Sequence, residues 1–191
     1  LGLVWLAGHA LARFPVRDAG RELVHELRDQ TGETTYLAVV HRSEVIYIDQ
    51  ASSPHVRVMI DWVGRRTPLT VGITGAVLLA HQPPEVVAAL LDEARRQGRA
   101  GAEPGLVAEL ERTRRQGYLA RFDDPTSHEA VVCVPVFDHL GVVVAALCLG
   151  AVRHRVDERR FAEELIPLTL QAAARISARL GYNGAPRPAP G

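Results

Sequence analysis

The sequence predicts an α+β fold, one antiparallel sheet with helices packed on it. Three observations predict it. Two pairs of β-branched, apolar runs are joined by short polar turns, 34–40 with 45–49 and 130–137 with 142–149. Apolar residues recur at helical spacing in at least three other stretches. Strands come in runs rather than alternating one by one with helices, which argues against a parallel sheet.

The elements follow in order. Leu3, Leu6, Ala7, Ala10, Leu11 and Phe14 form one helical stripe, ended by Pro15. A second helix over 17–31 carries Val16, Ala19, Leu23 and Leu27, and Gly32 closes it. The first hairpin turns at His41-Arg42-Ser43-Glu44. Val56, Val58 and Ile60 alternate with Arg57, Met59 and Asp61, the period of a half-buried strand. Residues 64–75 read as a long irregular loop. Helices are predicted at 75–81, at 84–97 with Pro84 in the first turn, and at 104–116 with Leu106, Val107 and Leu110 inward. The Gly/Ala-rich connection 98–105 is expected to be mobile. A short strand at 119–122 precedes the second hairpin, which turns at Asp138-His139-Leu140-Gly141. Asp157 caps a last long helix whose stripe is Phe161, Leu165, Leu168, Ala172, Ile176 and Leu180, with a kink expected at Pro167.

With 191 residues the chain suits one domain plus an appendage. Lys and Arg together number 22, as do Asp and Glu, so the net charge is zero. These residues therefore lack the basic surplus of a free-standing DNA-binding protein. No apolar run reaches membrane-spanning length, and no secretory signal is expected. The first residue is Leu, which suggests a fragment of a longer protein. Cys133 and Cys148 lie in apolar runs and read as two buried thiols rather than a disulfide.

Catalysis needs convergent groups, and few converge. Asp123-Asp124 are adjacent, point apart and read as a solvated turn. Common nucleophile, zinc and phosphate-loop motifs are absent, and the eight histidines are scattered, so no metal site is expected. The second hairpin says more. If Asp138 pairs with Gly141, Cys133 faces Ala146 and Val131 faces Cys148. Val131, Cys133, Ala146, Cys148 and Gly150 then share one face. Small or soft residues there leave space, either filled by a helix or kept as a ligand cavity. Arg121 on the neighbouring strand reads most simply as a surface arginine, although a guanidinium at a pocket rim can clamp a carboxylate. Ile73-Thr74-Gly75 stands at a loop-to-helix junction, where unpaired N–H groups attract anions.

Several stretches, in order and spacing, resemble the C-terminal effector-binding domain of the IclR family of bacterial transcription regulators, which is GAF-like. They are Gln30-Thr31-Gly32-Glu33-Thr34 with Tyr47-Ile48-Asp49, Val63-Gly64-Arg65-Arg66-Thr67-Pro68-Leu69, Gly75-Ala76-Val77-Leu78-Leu79-Ala80, Arg114-Arg115-Gln116-Gly117-Tyr118, Pro135-Val136-Phe137-Asp138 and the closing 172–182 helix. The resemblance implies a linker helix at 1–15, an effector-binding domain at 16–182 and a disordered tail at 183–191. It also implies a winged helix-turn-helix, absent from this chain, through which operator DNA would be bound. A cytoplasmic homodimer or tetramer without cofactor or enzymatic activity is expected.

The implied effector positions are Met59, Ile73, Thr74, Arg121, Val131, Cys148 and Gly150, and strand alternation adds Cys133. Members that bind small hydroxy- or keto-acids often carry an acidic residue at the position of Arg121, Cys at that of Val131, and Ser at those of Cys148 and Gly150. This pocket is therefore expected to be less polar, taking an aromatic or aliphatic carboxylate held by Arg121 and the backbone at Thr74. The alternatives are a thiol-based GAF-like redox enzyme, or an oligomerisation module with a closed core.

Overall fold

The computed structural model describes residues 15–56, 61–98, 105–124 and 128–184. The expected linker helix, the core of the alternating strand around Met59, most of the 98–105 connection and the tail from residue 185 lie outside the described residues.

Helix α1 (Pro15–Thr31) buries Val16, Leu23 and Leu27 of the expected stripe together with Val24, while Ala19 is only half-buried. β1 (Thr34–His41) and β2 (Glu44–Ala51) form the first hairpin, with His41 opposite Glu44 and a two-residue turn at Arg42-Ser43. The expected loop after residue 64 contains a short strand, β3 (Arg66–Pro68), paired with β2. Its Pro68 is tolerated because β3 is an edge strand and needs no donor on its outer side.

α2 (Gly72–Ala80) starts three residues ahead of the expected Gly75. Gly75 sits inside the helix because the chain passes very close: a Cβ there would lie 2.5 Å from the Leu69 carbonyl oxygen. α3 (Pro84–Arg96) and α4 (Leu106–Gln116) follow, the latter ended by Gly117 at φ 83°. Leu110 is buried as expected, but Val107 is 51 % exposed, because Thr113 rather than Val107 completes the inward stripe.

β4 (Leu119–Arg121), β5 (Glu129–Phe137) and β6 (Val143–Val152) complete a six-stranded sheet in the order β3-β2-β1-β6-β5-β4, and every neighbouring pair is antiparallel. Asp157 accepts a bond from the Arg160 N–H at 2.7 Å and caps α5 (Glu158–Arg160). The helix then widens into a π-helical stretch (Phe161–Leu165) before α6 (Ile166–Arg179), whose first turn holds Pro167. Local widening thus accommodates the missing proline donor.

The sheet has two covered faces. On one, Leu37, Val39, Val132, Val134, Leu147 and Leu149 pack under α1 and α6. On the other, Tyr36, Ala38, Val131, Cys133, Ala146 and Cys148 lie under α2, with α4 packed on α2. Glu33, fully buried at the start of the sheet, meets Arg160 at 3.1 Å and Arg155 at 3.7 Å, tying β1 to the last helix.

Candidate functional site

The second face carries a cavity between the sheet and the start of α2. It encloses about 660 Å³, part of it open to solvent. Its floor is Val131, Cys148 and Gly150 with Tyr36, and its sides are Tyr47, Trp62, Thr67 and the segment 71–74.

The register explains the floor. Val131 lies opposite Gly150, and Cys133 opposite Cys148. The expected register was two residues away, with Val131 opposite Cys148. The turn supplies one residue of the slide, with the Asp138 N–H bonded to the Val142 carbonyl, and an irregularity between Val136 and Phe137 supplies the other. A slide of two keeps every side chain on its face, so the group deduced from alternation stays together. The cysteines, however, are not diagonal. They face each other across the strands with Cα atoms 4.2 Å apart, and the structure joins them as a disulfide. This corrects the expectation of two buried thiols.

Five of the eight sequence-derived positions line the cavity: Ile73, Thr74, Val131, Cys148 and Gly150. Cys133 is fully buried and does not line it. Met59 lies outside the described residues. Arg121 is not a lining residue either. Its guanidinium is held by Asp124 at 2.8 Å and Glu109 at 2.7 Å, so it is no open clamp for a carboxylate. Burial works to lower its pKa, but the two carboxylates outweigh that and hold it above the usual arginine value. Asp124, expected to be a solvated turn residue, is 2 % exposed because it is the inner half of this pair.

The sequence reading missed the aromatic wall and Glu129. Tyr36 and Tyr47 meet edge to face with ring centres 6.1 Å apart, and Tyr47 and Trp62 are 5.1 Å apart. Tyr47 donates to Thr74 Oγ1 at 3.3 Å, and that hydroxyl lies 3.4 Å from Cys148 Sγ. Glu129 also lines the cavity, and its carboxyl lies over Gly150, 3.2 Å from where a Cβ would stand. Burial, then the charge of Asp124, raises the Glu129 pKa. Burial, then Glu129, raises that of Tyr36. Alternation could have found Glu129, two residues before Val131 on the same strand. Trp62 sits in a loop and gives no such signal.

Among the described residues no helix is long and apolar enough to cross a membrane. Nor do they group three or more His, Cys, Asp or Glu side chains as a metal site. No side-chain cap closes the start of α2, so its first N–H groups remain available beside the cavity.

Comparison with known proteins places the chain. The family described as "Bacterial transcriptional regulator IclR C-terminal" matches residues 8–178. The HTH-type transcriptional regulator KdgR of Escherichia coli (strain K12) is 30% identical over 190 residues, which covers 97% of this chain and 72% of that protein. The HTH-type transcriptional regulator XynR of the same organism is 29% identical, covering 92% of this chain and 71% of the relative. Among solved structures, the Thermotoga maritima IclR superposes with a TM-score of 0.80 at 26% identity, over 95% of this chain and 74% of the other. The C-terminal domain of E. coli KdgR gives a TM-score of 0.72 at 28% identity, over 87% of this chain and 99% of that domain. The chain thus belongs to the IclR family of bacterial transcriptional regulators and carries that family's C-terminal domain.

Proposed function

We propose that this chain is the sensing part of its regulator and that the cavity under α2 receives a small organic effector. The carrying observation is the hollow itself: aromatic walls, a floor of small side chains and an uncapped helix start meet around one volume. A carboxylate on the effector would take the N–H groups at residues 72–74, where the helix dipole favours negative charge. Arg121 plays no part in that contact, being engaged elsewhere.

Transmission follows from population shift. An effector that prefers one arrangement of a homodimer or tetramer raises the share of that arrangement. DNA-reading domains joined to the assembly would then be respaced, and half-site spacing is geometrically strict.

The test is calorimetry with a panel of small organic acids and amino-bearing compounds, on the 191-residue chain and on Val131→Phe. Val131 is a floor residue, so a phenyl ring there fills the hollow. The expected result is saturable binding to the parent chain and none to a folded Val131→Phe. Equal binding to both would move the effector out of this cavity. No binding to either would end the sensor reading.

A further inference from the structure

The ligand end of the cavity carries the wrong charge for a simple acid. No Lys, Arg or His stands among its described lining residues, whereas Glu129 and Asp124 both do. Arg121 does not redress this, because it is shared between Asp124 and Glu109. Glu109 also meets Arg112 at 3.8 Å, so two arginines balance Glu109 and Asp124, and Glu129 adds one carboxylate in excess.

Glu129 is also held in a way that a purely structural carboxylate does not need. No described residue donates a hydrogen bond to it, although it is half-buried. Gly150 beneath it leaves the room it occupies, since any side chain there would meet its carboxyl. The carboxyl lies beside Tyr36, the first ring of the Tyr36–Tyr47–Trp62 wall. Aromatic faces attract cations, and a desolvated ammonium gains most from them. An ammonium also brings three donors to a carboxylate to which no described residue donates, and opposite charges close together stabilise both.

We propose that the effector carries a protonated amino group, seated between the Glu129 carboxyl and the wall of Tyr36, Tyr47 and Trp62. This rests on the sensor reading above. Combined with a carboxylate at the start of α2, it describes a zwitterion, an amino acid or a close relative, with an apolar body over Val131 and Cys148. A hydroxy- or keto-acid of the same size offers Glu129 no cation and brings a second negative charge to the site.

The experiment uses matched compounds on the 191-residue chain by calorimetry at neutral pH: 3-phenylpropanoate against phenylalanine, and hexanoate against 6-aminohexanoate and hexylamine. Amino-bearing members should bind at least about ten-fold more tightly than acids lacking the group, the size of one good charged contact. Glu129→Gln should erase that preference while circular dichroism stays unchanged. Should Glu129→Gln fail to fold, Trp62→Leu serves, weakening the amines more than the acids. Acids binding as tightly as the amino-bearing members, or a preference untouched by both variants, would overturn the inference and leave the sensor reading standing. Binding by none of the compounds would remove both.

Discussion

The two faces of the sheet come from the same strands and behave differently. On the face under α1 and α6, β6 contributes Leu147 and Leu149, β1 Leu37 and Val39, and β5 Val132 and Val134. On the face under α2 the same strands contribute Ala146, Cys148 and Gly150, Ala38, and Val131 and Cys133. One face is covered by large branched side chains. The other is under-filled, and the difference is a hollow. One strand can thus build a rigid support and a binding floor at once, because alternate residues never share a side.

The largest expected break in that contrast is Leu147→Ala on the filled face. Leu147 is fully buried, so its removal should cost about 3–4 kcal/mol of unfolding free energy in urea titration. Val131→Ala, on a floor that already borders empty volume, should cost about 1 kcal/mol. Equal costs would mean that the second face is packed as tightly as the first.

The disulfide sharpens the comparison next, since it ties β5 to β6 on the hollow face. The closed loop spans a sequence separation of 15, and reduction should lower stability by about 3 kcal/mol. Thiol titration of the denatured, unreduced chain should detect no reactive thiol.

A further effect concerns acid. His81 caps α2, lies edge-on to Phe137 at 5.6 Å and has a buried Nε2 without a partner among the described residues. Burial, then the charge of Arg114, lowers its pKa to about 4. The unfolded chain, with an ordinary imidazole, binds the proton first as pH falls. The stability held by neutral His81 is therefore complete above about pH 6.5 and is lost on the way down to about pH 4, by roughly 2–3 kcal/mol. His81→Phe should flatten the stability curve in that window. An unchanged curve would show that His81 titrates normally.

Much of this was legible in the residues. The helix stripes of α1 and α6, both hairpins and the Asp157 cap depend on contacts within a few positions, and local patterns report them. The common face of Val131, Cys148 and Gly150 was legible even with the register wrong by two, because a two-residue slide preserves the side of every residue. β3 was not legible: three residues containing a proline have no period, and only the edge of β2 makes them a strand.

Sequence alone determined the fold class and which side chains share a face, because pleat and helical pitch are properties of the local backbone. Tertiary structure decided who meets whom. It set Cys133 opposite Cys148, gave Arg121 to Glu109 and Asp124, and brought Trp62 to a wall with Tyr47. Those outcomes depend on register and on elements far apart in the chain, where a displacement of a few ångströms separates a bonded pair from an open charge.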